Sequence, residues 1–194
     1  MDGFDEKKTF ENIKKFHSLP DSVKRQLWTK NHNPENTNIY RGLHPFVDND
    51  ESHKELFDMG LPNDEITPSE RKYKLYEDTP FPTGTPELDE LREFYQAEYR
   101  HRLQLGMKLC SYIAMGMGRP RDFFDDWFSK DSLATYRSIY YRPRSDAIVK
   151  DDKLSDESKR LITPDHTDSG FMTILSTFGY PGLQVLHNDK FWSV

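Results

Sequence analysis

This 194-residue chain has one cysteine, ten glycines and no long apolar run. The lone Cys110 cannot close an internal disulfide, and its place in a helical pattern makes it a small core residue rather than a nucleophile. No stretch approaches the roughly 18 consecutive apolar residues of a membrane helix. The acidic opening Met1-Asp2-Gly3-Phe4-Asp5-Glu6 lacks the basic and apolar regions of a secretory signal. These absences lead us to expect a cytoplasmic protein with no membrane partner. An excess of basic charge is also missing. Lys and Arg number 27 against 33 Asp and Glu, a net charge of −6, which argues against a nucleic-acid partner. Apolar residues make up 35% of the chain, a thin core supply for its length.

Proline is concentrated early, with eight of the twelve falling by Pro86, so irregular structure is expected over residues 39 to 86. Before that, Phe4, Phe10, Ile13, Phe16 and Leu19 suggest a short amphipathic helix ended by Pro20. Asp21 is placed to cap a turn-rich segment from Ser22 to Trp28. Thr85 as cap, Pro86 at the first helical position and Glu87 in the first turn then announce a long helix. Its stripe is read as Leu88, Leu91, Tyr95, Tyr99, Leu103, Leu109, Ile113 and Met117, with Gly116 and Gly118 closing about eight turns. Residues Leu133 to Tyr141 carry the aromatic and β-branched types of a strand, and 142 to 160 read as a polar surface loop. Three strands of a β-meander follow at Phe171–Leu175, Leu183–Leu186 and Phe191–Val194. The expected fold class is α+β, with helices collected early and an antiparallel sandwich or barrel late.

His166-Thr167-Asp168 stands at the entry to the first meander strand. In extended backbone, residues two apart point the same way, so this imidazole and carboxylate can converge on one point. That donor pair suits Fe(II), Mn(II) or Zn(II), and a further histidine would make a facial triad with open coordination positions. A hydrogen-bonded strand terminus is the competing reading.

The run from His166 to Leu175, followed by Gly182-Leu-Gln-Val185 and Trp192-x-Val194, resembles the metal-binding strands of the isopenicillin N synthase-like iron(II)/2-oxoglutarate oxygenases. Lys54-Glu-Leu-Phe-Asp-Met-Gly60 is similar to that family's Lys-Glu-x-Phe-Asp-x-Gly segment, and Ala114-Met-Gly-Met-Gly118 with Phe123-Phe124 is similar to its long-helix ending. The resemblance implies a distorted double-stranded β-helix, a jelly-roll relative, backed by a long helix. Residues 1–135 would form the helical and irregular N-terminal part, and 136–194 the first part of the iron-binding region. It further implies His166 and Asp168 as catalytic iron ligands and Tyr141, of the pair Tyr140-Tyr141, as a contact to the 2-oxoglutarate carboxylate. Ile139 stands where the family often has Asn. Tyr40-Arg41-Gly42 is similar to a segment bordering the substrate pocket. The cofactors implied are Fe(II), 2-oxoglutarate and O2, and the implied reaction oxidises a small organic molecule with release of succinate and CO2.

The family's second histidine and its Arg-x-Ser would follow Val194. The expectation is therefore an incomplete form with little activity alone. His187 sits at a hairpin turn and does not stand in, and His17, His32, His44 and His53 show no metal-ligand spacing. The alternative is a non-catalytic interaction module on the same frame, whose open sheet edge would take a partner strand. A zinc hydrolase would need a third ligand and a general base that the chain does not indicate.

Overall fold

The computed structural model describes residues 5–47, 53–128, 133–142, 163 and 166–194. Helix α1, Glu6–His17, starts where Asp5 accepts a hydrogen bond from the Lys8 backbone N–H (3.0 Å). Pro20, not Asp21, occupies the cap position of the next helix, α2 (Asp21–Lys24). Asp21 instead lies in the first turn, where its charge faces the free N–H groups.

Two strands arise in the stretch expected to be irregular: β1, Gly42–His44, and β2, Lys54–Met59. Prolines flank them without interrupting them. With β3, Tyr136–Tyr141, they form an antiparallel sheet in the order β1-β2-β3. Asp58 faces Arg137, Phe57 faces Ser138 and Lys54 faces Tyr141. The two-residue alternation of strands then sorts side chains onto two faces. Leu43, Glu55, Phe57, Met59, Tyr136, Ser138 and Tyr140 share one face. His44, Lys54, Leu56, Asp58, Arg137, Ile139 and Tyr141 share the other.

The first face carries the core, where Phe16 of α1 packs on Phe57 (ring centroids 4.5 Å apart) and on Tyr95 (5.1 Å). Leu27, Leu43, Met59 and Tyr99 complete this cluster. A chain of buried polar groups runs through it. Glu55 accepts from His17 Nδ1 (2.7 Å) and from Lys24 Nζ (2.9 Å), His17 Nε2 meets Ser138 Oγ (3.2 Å), and Ser138 meets the Tyr95 hydroxyl (3.0 Å). Every member is paired, which is the condition under which a buried polar network is tolerated. Burial alone would raise the Glu55 pKa, but hydrogen bonds and charge from His17 and Lys24 hold it below the ordinary carboxylate value.

Helix α3 runs over Pro86–Gly116, about 46 Å of helix. It ends as a Schellman motif, with Gly118 N donating to Met115 O, Arg119 N donating to Ala114 O, and Gly118 at φ +69°. Its first half buries Leu91, Tyr95 and Tyr99 as the periodicity predicts. The second half differs. Cys110 and Ala114 are buried, while Ile113 and Met117 are exposed. The contact line passes through Gly106, where an added Cβ would stand 3.7 Å from Met172 Cε. A glycine adds nothing to an apolar pattern, so the stripe is drawn one residue off beyond it. Cys110, Ala114 and Phe124 form a second, small cluster against Phe128 and Met172. Helix α4 is the single turn Asp125–Phe128.

Among the described residues, Phe171–Leu175 forms no strand. Instead Phe171 packs on Phe124 (5.1 Å) and Phe128 (4.9 Å), so side-chain packing and not a ladder places this segment. Strands β4, Gln184–His187, and β5, Lys190–Ser193, form a separate hairpin. Asn188 and Asp189, at φ 51° and 57°, supply its two-residue turn. The polar loop expected over 142–160 lies outside the described residues except for Arg142, which stacks 3.9 Å from the Phe46 ring centroid.

Candidate metal centre

His166 and Asp168 lie on the irregular stretch before the hairpin, both more than half exposed, with Nε2 of the imidazole 3.6 Å from Oδ1 of the carboxylate. The other carboxylate oxygen, Oδ2, accepts from Thr173 Oγ1 at 2.5 Å. That bond folds the segment back on itself. Two donors 3.6 Å apart can share one cation bonded at about 2.1 Å to each, because the separation is smaller than the two bond lengths together. The imidazole and carboxylate therefore fit an iron-type ion as a pair. Among the described residues no group of three His, Cys, Asp or Glu side chains gathers around a common point.

Tyr141 ends β3, 42% exposed, on the sheet face that carries Arg137. Asp58 directly opposite holds Arg137 in a fork, with Nε to Oδ1 at 2.6 Å and Nη2 to Oδ2 at 2.7 Å. Hydrogen bonding to Asp58 keeps the guanidinium pKa high against the burial that would lower it. The charge of Asp58 adds to this, as do Asp168 and Tyr141. Asp168 and Tyr141 thus both lie within electrostatic reach of one side chain. Tyr140 faces the other way, 5.9 Å from the His17 ring and 5.7 Å from Phe46. Adjacent tyrosines on a strand cannot share a face.

Around Tyr40-Arg41-Gly42, Glu77 accepts the backbone N–H groups of Ile39, Tyr40 and Arg41. Arg41 is buried and donates to Thr135 Oγ1 (2.7 Å) and Leu75 O (3.2 Å), its guanidinium lying over Gly60. A Cβ on Gly60 would stand 2.8 Å from Arg41 Nε. The Lys54–Gly60 motif is therefore largely structural: Glu55 and Phe57 face the core, Asp58 grips Arg137, and Gly60 admits Arg41. His187 is exposed at the hairpin turn. Sequence reasoning missed the Asp58–Arg137 pair. The only signal for it was an aspartate inside a motif already singled out.

No protein-family model matches the chain. In sequence it is 27% identical over 100 residues to a 2-oxoglutarate-dependent dioxygenase of Didymella fabae, covering 52% of this chain and 28% of that protein. It is 24% identical over 201 aligned positions to isopenicillin N synthase of Streptomyces clavuligerus, covering 94% of this chain and 56% of that one. The chain resembles the isopenicillin N synthase-like oxygenases. Among solved structures, a full-length Neurospora crassa protein in complex with alpha-KG matches 96% of this chain and 52% of its own, at TM-score 0.65 and 20% identity. A 2OG-Fe(II) oxygenase family protein from Caulobacter crescentus matches 73% and 45%, at TM-score 0.54 and 22% identity. At these identities the structural matches speak for the fold. The chain spans little more than half the length of these relatives, or less.

Proposed function

We propose that this chain carries the iron-binding region of an Fe(II)- and 2-oxoglutarate-dependent oxygenase acting on a small organic molecule, on the first part of a double-stranded β-helix. The observation that carries the reading is the pair His166 Nε2 and Asp168 Oδ1, 3.6 Å apart. One relative matched in sequence is a 2-oxoglutarate-dependent dioxygenase, another is an isopenicillin N synthase, and a relative matched in fold was solved with alpha-KG bound. His166 and Asp168 would hold the metal, and Tyr141 would contact the cosubstrate. Bound iron with 2-oxoglutarate and O2 supplies the oxidising chemistry. The chain's own residues present an imidazole and place a carboxylate beside it, 3.6 Å away.

With only the two donors that the described residues bring together, metal binding is expected to be weak and turnover by this chain small. Anaerobic titration with Fe(II) and 2-oxoglutarate tests this. The expected result is a weak visible charge-transfer band that disappears in His166→Ala and in Asp168→Ala. A band that survives both substitutions overturns the assignment. Brisk succinate formation by the chain alone overturns the two-donor site.

The hairpin favours a second reading, a non-catalytic interaction module. Directly paired residues point to the same side, so Val185 and Trp192 present one apolar face and Leu186 and Phe191 the other, all of them exposed. A two-stranded hairpin apolar on both sides is marginal in water unless further polypeptide covers it. Light scattering on the eluted protein separates a partnered form from a monomer, and turnover decides against this reading.

A further inference from the structure

We propose that Thr173 is a positioning residue whose hydroxyl turns one chosen oxygen of the Asp168 carboxylate toward the metal, an inference that rests on the iron-site reading above. The two oxygens of that carboxylate are not equivalent. Oδ2 accepts from Thr173 Oγ1 at 2.5 Å, whereas Oδ1 lies 3.6 Å from His166 Nε2. The last side-chain torsion of an aspartate is broad and roughly two-fold, so a carboxylate left to itself presents either oxygen. The hydroxyl removes that choice. With Oδ2 committed to Thr173, Oδ1 is the oxygen held beside the imidazole, as a cation shared by the two requires. The bond is also of the stronger kind, because its acceptor is ionised.

No other hydrogen bond holds this carboxylate among the described residues. From Asp168 to Ser176 the backbone makes no hydrogen bond to backbone among them either, and both donors are more than half exposed, so neither a ladder nor burial orients them. Thr173 is placed differently. The two residues before it are the ones that attach the segment to the helices. Phe171 packs on Phe124 and Phe128 (5.1 and 4.9 Å), and Met172 packs against the cluster of Cys110, Ala114 and Phe124. Thr173 thus follows the anchor directly, and its hydrogen bond reaches back five residues to the donor that the anchor does not touch. Being β-branched, its side chain has few rotamers to lose, so ordering the hydroxyl costs little entropy.

Positioning and simple electron withdrawal have opposite signs. A hydrogen bond to Oδ2 draws charge from the carboxylate, so if that were its only effect, removing the hydroxyl would tighten metal binding. Positioning predicts weaker binding. The test uses the full chain, unaltered and as Thr173→Val and Thr173→Ser. Valine keeps the branched shape without a donor, and serine keeps the donor without the methyl. Thr173 is exposed, so both variants should fold. In metal-free protein, backbone order parameters at 166–170 should fall toward the flexible range, below about 0.6, in Thr173→Val and recover in Thr173→Ser. Those at 171 and 172 should stay unchanged in both. Mn(II) affinity, read from the electron paramagnetic resonance of the free ion, should fall about 10- to 100-fold in Thr173→Val, the range seen when a group orienting a metal ligand is lost. Thr173→Ser should restore it. Unchanged order parameters at 166–170 in Thr173→Val, tighter Mn(II) binding in that variant, or a Thr173→Ser protein that behaves like Thr173→Val overturns the proposal. If the unaltered chain binds no Mn(II), the iron-site reading fails, and the order parameters with the serine rescue still decide whether the hydroxyl orients Asp168.

Discussion

The sheet with α1 and the first half of α3 differs sharply from residues 166–194. In the first region Phe16, Leu43, Phe57, Met59 and Tyr95 have no exposure, and the one carboxylate that its sheet turns toward the core, Glu55, is paired with Lys24 and His17. In the second, nearly every residue is exposed and the attachments are a few aromatic contacts. The donors proposed for the metal lie on the second. A packed scaffold tolerates little change, whereas a sparsely held segment can exchange ligands and receive substrate at small cost in global stability.

Substitutions can break or sharpen that contrast. The largest effect is expected from Glu55→Ala, which leaves Lys24 and His17 buried without their acceptor. About 3–5 kcal/mol should be lost in urea unfolding. A companion variant, Glu55→Gln, tests the charge. The Glu55 pKa is depressed on folding, so its contribution is present above the unfolded carboxylate value of about 4.3 and is lost as pH falls through the lower folded value. The stability gap between Glu55→Gln and the unaltered chain should therefore narrow on acidification below about pH 4.3, and a constant gap would show that the carboxylate charge is not what matters.

Gly42→Ala comes next. Gly42 has φ +127°, and a Cβ there would stand 2.5 Å from the Leu27 carbonyl oxygen, so roughly 3 kcal/mol should be lost from strain and overlap together. Met172→Ala removes a partly buried anchor of the donor segment. It should cost about 1–2 kcal/mol or less, and its main signature should be lower order parameters at 166–176 with the sheet unaltered. The smallest effect on stability belongs to His166→Ala, within about 0.5 kcal/mol in thermal unfolding because the side chain is mostly exposed. The same variant should abolish metal binding. A large loss of stability from His166→Ala would erase the distinction between the two regions.

Where a local signal was complete, the fold was legible from sequence. Pro86 at the start and Gly118 past the end delimit α3, and the aromatic run Tyr136–Tyr141 is a strand. Strand β2 was not legible because Glu55 faces the core and Leu56 faces away, reversing the apolar alternation that marks a strand. Only the partners of Glu55, His17 and Lys24 from two other elements, make that inversion stable. His17 was set aside for lack of metal spacing, and its actual work is hydrogen bonding in the core. The pair His166 and Asp168 was legible by spacing. Its expected strand was not formed, and a local hydrogen bond from Thr173 orders the turn instead.

By itself the sequence determined the ends of α3, the hairpin at Asn188-Asp189 and the proximity of one imidazole to one carboxylate. Each depends on residues close along the chain, where backbone geometry and capping act directly. Tertiary structure decided which side of α3 is buried beyond Gly106, which of Tyr140 and Tyr141 faces the core, and that Asp58 locks Arg137 across two strands 79 positions apart. Those outcomes depend on which surfaces meet, and that is set by burial summed over the whole chain.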